Sequence, residues 1–139
     1  MSEKQKLLIV DDSELNRDIL KEILGSRYDY MEAENGTQAI QILEVHPEID
    51  LMLLDINMPQ MNGFQVLEHM RELQWIDEVP VVMISSEESV EIMRKAYDLG
   101  ITDYISRPFD AVIVKKRVQN TLGLYANQKR LINVVVDQV

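Results

Sequence analysis

Runs of consecutive apolar residues alternate along the chain with stretches in which apolar residues recur at helical spacing. Residues 7–10, 51–54 and 81–84 are three such runs, each of four apolar residues. Runs of this kind are typical of strands that are buried on both faces of a parallel sheet. Two weaker segments, residues 28–33 and 104–105, predict two further strands.

A helical pattern follows each predicted strand. Ser13 is predicted to cap the first helix, whose leucines and isoleucines recur at helical spacing until Gly25 ends it. Asn35-Gly36 predicts a turn, and the second helix after it ends near Pro47. The other helices are predicted over residues 64–73 and 90–99 and from Asp110 onward. Strand and helix therefore alternate five times, which predicts an α/β fold with a parallel sheet covered on both faces.

Composition narrows the class of protein further. The 139 residues are 46% apolar and carry a formal net charge of −10, and a chain of this length usually forms one domain. The acidic balance argues against direct binding of nucleic acid, which needs a basic surface. No stretch approaches the roughly 18 apolar residues of a membrane span, and the first residues do not resemble a signal peptide. Because the chain also has no cysteine, we expect a cytoplasmic protein that does not bind membranes.

Polar residues stand at or just past the ends of four predicted strands, and the last of them also precedes a proline. They are Asp11, Asp12, Asp55, Ser85 and Arg107. The carboxyl ends of parallel strands meet at one edge of the sheet, where α/β proteins place their chemistry. We therefore expect these residues, which are distant in sequence, to converge in space.

Three converging carboxylates repel one another unless a cation lies between them. Oxygen ligands of this kind suit Mg2+, which often assists phosphate chemistry. Asp55 would then be a carboxylate nucleophile that accepts a phosphoryl group. Ser85 would donate a hydrogen bond to that group, and Arg107 would pair with it or with Asp55. The plainer interpretations are a helix-start acidic pair for Asp11-Asp12, turn or cap residues for Asp55 and Ser85, and a surface arginine for Arg107.

At this point the chain resembles the receiver domain of two-component response regulators. The resemblance spans about residues 6–124 and rests on four stretches in register, IVDDS (9–13), LLDINMPQMNGF (53–64), PVVMISS (80–86) and YISRPF (104–109). It implies a flavodoxin-like (βα)5 doubly wound sheet with strand order 2-1-3-4-5. It also implies that Asp55 is the phospho-acceptor. Asp12 would bind Mg2+ directly, Asp11 mainly through water, and Asn57 through its backbone carbonyl.

The resemblance also assigns switch and tuning residues. Ser85 matches a hydroxyl that moves toward the phosphoryl group, and Tyr104 matches an aromatic whose inward or outward position reports activation. Pro108 matches a proline that often follows a cis bond. Asn57 and Glu87 match positions that tune hydrolysis of the aspartyl-phosphate. The output surface would comprise the fourth helix, fifth strand and fifth helix.

Arg107 departs from the family pattern, which has lysine before that proline. Arginine keeps the charge, but its planar fork differs from an ammonium group. Arg107 would pair with the phosphoryl group, or it would fail to fit and weaken phosphorylation. The sequence therefore leaves open a degenerate receiver that acts as a phosphate-independent dimerisation or scaffold module.

The C-terminal segment extends past the expected fold. We expect a receiver domain over residues 1–124, followed by a signalling helix or linker over residues 125–139 that leads toward an output domain. Heptad-like spacing suggests a homodimer through this helix. The spaced residues are Val118, Leu122, Tyr125, Lys129, Ile132 and Val136.

The resemblance implies a sensor histidine kinase or a phosphotransfer protein as the phosphoryl donor. The chain would not be an enzyme beyond self-catalysed phosphotransfer and dephosphorylation. A haloacid-dehalogenase-type phosphatase would need an aspartate where Asn57 stands. A nucleotide-binding flavodoxin-like module would need a phosphate-cradling loop where Asp11-Asp12-Ser13 would repel phosphate.

Overall fold

The protein is described by a computed structural model that covers the backbone of residues 4–86 and 89–137 and the side chains of residues 4–86 and 89–125. Five parallel strands form one sheet in the order β2-β1-β3-β4-β5. The strands are β1 (Lys6–Val10), β2 (Asp29–Ala33), β3 (Leu51–Asp55), β4 (Val81–Ser85) and β5 (Asp103–Ser106). The helices are α1 (Glu14–Leu24), α2 (Gly36–Val45), α3 (Gly63–Glu72), α4 (Val90–Asp98) and α5 (Ala111–Asp137). The predicted flavodoxin-like fold and its strand order are confirmed.

The apolar runs are buried because each central strand contributes side chains to two hydrophobic cores, one on each face of the sheet. All five residues of β3 and of β4 are buried. Alternate residues of the central strands point to opposite faces, so Leu54 joins the core beneath α2, α3 and α4, whereas Leu53 joins the core beneath α1 and α5. The sheet is therefore covered on both faces, and polar groups remain accessible only at its edges.

The helix starts follow local capping chemistry. Ser13 caps α1 as predicted, since its hydroxyl accepts a hydrogen bond from the Asn16 backbone N–H at 3.2 Å. The prediction of a turn at Asn35-Gly36 was wrong: the Asn35 side chain caps α2, and Gly36 is the first residue of that helix. Asparagine forms local hydrogen bonds to the backbone both in turns and in helix caps, so the sequence alone does not distinguish the two.

Helix α5 is continuous from Ala111 to Asp137, so it crosses the predicted boundary after residue 124. Tyr125 lies close to the sheet, and its hydroxyl is 3.5 Å from the hydroxyl of Thr102. The heptad side chains at positions 129, 132 and 136 lie outside the described side chains, so the dimer interface stays a prediction. Within the part of the chain that the structure describes, no helix has both the length and the apolar content of a membrane span.

Candidate functional site

Three carboxylates meet at the carboxyl edge of the sheet. Asp11 and Asp12 follow β1, and Asp55 ends the neighbouring strand β3. One oxygen from each lies within 4.8 Å of the others. Asp11 and Asp55 are buried, with exposed fractions of 0% and 1%, whereas Asp12 is exposed. The predicted convergence is thus present, and the exposed Asp12 leaves the cluster open to solvent on one side.

Arg107 reaches into this cluster from the loop after β5. Its Nη2 atom donates to Asp11 Oδ2 and lies 3.2 Å from Asp55 Oδ1. Its guanidinium carbon lies 5.9 Å from the centre of the Phe109 ring, within the range of a cation–π contact. The Arg107–Pro108 peptide bond is cis, the form that the resemblance associated with Pro108. Arg107 is therefore part of the cluster and not an ordinary surface arginine.

Burial raises the pKa of both inner carboxyl groups. The pKa of Asp55 rises from its ordinary 3.8 to about 6, first because the group is desolvated and then because the charge of Asp11 is near. Desolvation also raises the pKa of Asp11. Arg107 opposes both shifts without cancelling them. The site thus holds more negative charge than its surroundings stabilise.

Ser85 and Tyr104 lie beside the cluster on the next strands. Ser85 is buried at the end of β4, one residue past Ile84, which pairs in register with Asp55. The Ser85 carbonyl accepts a hydrogen bond from the Arg107 backbone N–H at 3.1 Å. Tyr104 is buried in the core beneath α2, α3 and α4, which corresponds to the inward position.

Asn57 follows Asp55 closely at the same edge. Its backbone N–H donates to Asp55 Oδ1 at 3.4 Å. The predicted tuning residue Glu87 lies outside the described residues. The roles assigned to Asn57, Ser85 and Tyr104 remain predictions, because the geometry places these residues without testing what they do.

Arg17 is a supporting residue that sequence reasoning missed. It lies on α1 and is buried. Its Nη1 atom donates to the carbonyl oxygen of Asp11 at 2.6 Å, and its Nε atom donates to Glu32 at 3.0 Å. The arginine thereby fixes the carboxyl end of β1 on which Asp11 and Asp12 stand. In the sequence, Arg17 is a polar residue of the first predicted helix, four residues after Ser13. Nothing in the helical pattern indicates that its side chain is buried.

The donor set fits a hard divalent cation. Carboxylate oxygens are the ligands that Mg2+ prefers, and Mg2+ usually binds one or two carboxylates and keeps several waters. The exposed Asp12 provides the open side that those waters need. A cation there would also counteract the desolvation and the repulsion from Asp11 that together raise the pKa of Asp55.

Comparisons with known proteins place this geometry in a family. The family model described as the response regulator receiver domain matches residues 7–119, and the chain belongs to that family. The chemotaxis protein CheY1 of Helicobacter pylori is 35% identical over 120 residues, which are 85% of this chain and 97% of that protein. The chemotaxis response regulator CheY4 of Vibrio cholerae matches with a TM-score of 0.78 and 27% identity, over 86% of this chain and 99% of that chain.

A longer relative shows a different context for the same domain. A Vibrio cholerae protein named "Probable cyclic di-GMP phosphodiesterase" is 32% identical over 127 residues. These residues are 91% of this chain but only 29% of that protein. The domain is therefore found both in proteins of about this length and within a larger protein.

Proposed function

We propose that the chain is a phosphorylation-dependent signalling switch that accepts a phosphoryl group on Asp55 from a histidine kinase or a phosphotransfer protein. The observation that carries this proposal is the buried Asp55 carboxylate at the end of the central strand β3, with Asp11 and Asp12 within 4.8 Å. Membership of the receiver family supports it. The chain would act by changing state and not by turning over a substrate.

The phosphotransfer step uses Asp55 as the nucleophile. An Asp55 carboxylate oxygen attacks the phosphorus of a donor phosphohistidine, so that an O–P bond forms while the P–N bond breaks. The leaving imidazole keeps the electron pair and takes up a proton. A pKa of about 6 leaves Asp55 mostly ionised, and hence nucleophilic, at neutral pH. Hydrolysis by water would later release inorganic phosphate and reset the switch.

Charge neutralisation is the main requirement of this reaction. Mg2+, bound by Asp11, Asp12, Asp55 and the backbone carbonyl of Asn57, would supply it at the phosphoryl oxygens. Arg107 already lies 3.2 Å from Asp55 Oδ1 and offers further N–H donors to a phosphoryl group. Ser85 would donate its hydroxyl hydrogen from the end of β4.

The signal would travel from Asp55 through β4 and β5. A phosphoryl group adds charge and acceptor oxygens at one point. Ser85 and Arg107 are already linked through the backbone hydrogen bond between them, so attraction of either side chain moves both loops. Tyr104 lies on the connecting strand and would report the change. The output surface is then formed by α4, β5 and α5, and it controls an output domain or a partner protein.

The proposal is tested by intact-mass measurement after incubation with a small acyl-phosphate donor and Mg2+. The wild-type chain is expected to gain the mass of one phosphoryl group, and Asp55→Asn is expected to gain none. Asp50→Asn is the matched control, because Asp50 directly precedes β3, at the end away from Asp55, and its side chain accepts the Lys6 backbone N–H. A gain that persists in Asp55→Asn, or no gain in the wild-type chain and in Arg107→Lys, would contradict the proposal.

A second candidate function is a phosphate-independent scaffold. Arg107 favours it, because the guanidinium already contacts both inner carboxylates and stands where the family has lysine. Under this alternative the chain would gain no mass from the donor and would still bind its partner. The intact-mass measurement therefore separates the two functions.

We also propose that the chain forms a homodimer through the extended helix α5. Twenty-seven residues are helical, from Ala111 to Asp137, which is longer than the face of the sheet requires. Light scattering should give the mass of two chains at high protein concentration, with dissociation on dilution. The mass of a single chain at every concentration, with and without the phosphodonor, would rule out this dimer.

A further inference from the structure

The guanidinium of Arg107 bonds to oxygens that a metal ion would use. Nη2 contacts Asp11 Oδ2 and Asp55 Oδ1. The other oxygen of Asp11, Oδ1, accepts the Ser13 backbone N–H at 2.9 Å. Asp11 therefore already has a donor on each of its oxygens, so a cation, or the water bound to one, would have to share or replace those contacts. A dication that approaches these oxygens would also meet a positive charge within hydrogen-bonding distance of them.

Arg107 is held in this position, but imperfectly. Phe109 stacks near the guanidinium, and two carboxylates bind one end of it. Its Nε atom is buried and has no hydrogen-bond partner among the described residues. A buried donor without an acceptor is costly, so the arrangement leaves part of the guanidinium unsatisfied. The side chain as a whole is 23% exposed, which gives it a path toward solvent.

We propose that Arg107 is an internal cation that competes with the divalent metal for Asp11 and Asp55, so that metal binding requires the guanidinium to withdraw. This inference rests on the proposed metal site and names its regulation. Before metal arrives, Arg107 partly compensates the charge of the inner carboxylates. Metal binding breaks its two contacts and frees the side chain, and its N–H donors then become available to a phosphoryl group on Asp55. Metal affinity and phosphoryl contact are in this way linked through one residue.

Lysine in the same place would compete less. An ammonium group is a single point charge on a flexible stem, and it can step back from the carboxylates with little loss. The arginine plane contacts Phe109 and two carboxylates together, so it must leave all three contacts. A lysine variant keeps the charge and changes only the shape of the cation. The lysine variant therefore distinguishes two ways in which Arg107 could weaken metal binding: by occupying the carboxylate oxygens, or simply by repelling the metal ion with its positive charge.

The test is a titration with Mn2+, used as a spectroscopic probe for Mg2+, in which free Mn2+ is measured by electron paramagnetic resonance without a phosphodonor. Arg107→Lys is expected to bind Mn2+ about ten-fold more tightly than the wild-type chain, which is the size expected when a charge-assisted hydrogen bond no longer has to be broken. Arg107→Gln should bind more tightly still, because it also removes the charge. Arg94→Lys, an equivalent change at an exposed position on α4, should leave the affinity unchanged.

The outcomes separate this inference from the proposed function. Equal affinities for the wild-type chain and Arg107→Lys would overturn the competition, and the metal site would stand. No saturable binding by the wild-type chain or by either Arg107 variant would overturn both the competition and the metal site. Saturable binding with unchanged affinity in Asp55→Asn would place the ion elsewhere and would also overturn the inference. Far-UV circular dichroism of each variant shows that a change in affinity does not reflect unfolding.

Discussion

Asp55→Asn is expected to raise the free energy of unfolding of the metal-free chain by about 2–3 kcal/mol at pH 8, although it removes the carboxylate that we propose as the phospho-acceptor. Asp55 is buried beside Asp11, and the pKa of its carboxyl group is raised from 3.8 to about 6. A rise of that size means that ionised Asp55 opposes folding by about 3 kcal/mol. Asparagine has nearly the same shape and no charge, so it avoids this penalty.

The gain should depend on pH with a defined sign. The folded chain holds the Asp55 proton more tightly than the unfolded chain, so the stability contributed by this group falls as pH rises from about 4 to about 6 and then levels off. The difference between Asp55→Asn and the wild-type chain should be small near pH 4 and largest above pH 7. Urea unfolding at several pH values in a metal chelator measures it.

Asp50→Asn serves as the control for stability as well, because it changes the same residue type just before β3 and away from the cluster. It should show no comparable gain at pH 8. Saturating Mg2+ should stabilise the wild-type chain and reduce the advantage of Asp55→Asn. A variant that is less stable than the wild-type chain at pH 8 in chelator would show that the carboxylates are better compensated than their burial indicates.

The sequence predicted the strand-end residues of the site because their positions depend on short apolar runs that are clear in the sequence. The apolar runs before Asp11 and Asp55 are typical of strands buried on both faces, and the parallel order brings their carboxyl ends together. Ser85 follows a run of the same kind and was placed at the same edge by the same reasoning. Each of these predictions needed only the period of the side chains and the direction of the strands.

The sequence could not predict contacts made by long polar side chains. Arg17 looks like a surface arginine in the sequence, yet it is buried against the Asp11 carbonyl. Arg107 was expected at the cluster, but its bridge between Asp11 and Asp55 was not predicted. Such contacts depend on where helices and loops cross the sheet edge and not on the periodicity of one element. Asn35 likewise became a helix cap because of where α2 begins.

Gly63, at the end of the loop after Asp55, is another position where a single substitution should have a large effect. A Cβ atom there would lie 2.5 Å from the carbonyl oxygen of Asp55 and 2.9 Å from the Cα atom of Ile56. Both neighbours are backbone atoms of the segment that carries Asp55, so they cannot move aside as a flexible side chain would. The Gly63 N–H also donates to the Ile56 carbonyl at 2.9 Å, which holds α3 against this segment.

Gly63→Ala is therefore expected to lower the free energy of unfolding by about 2–3 kcal/mol, the cost of forcing extra atoms into a packed site. Gly123→Ala is the matched control, because a Cβ atom at Gly123 has no neighbour within 4 Å and the residue is exposed within α5. Alanine favours a helix over glycine by about 0.5–1 kcal/mol, so the control should gain stability. Urea unfolding of both variants tests the pair, and a gain in both would mean that α3 does not press on the backbone at Asp55. A loss for Gly63→Ala and a gain for Gly123→Ala would show that glycine is needed at position 63 because of the backbone at Asp55, since helix propensity alone predicts a gain at both sites.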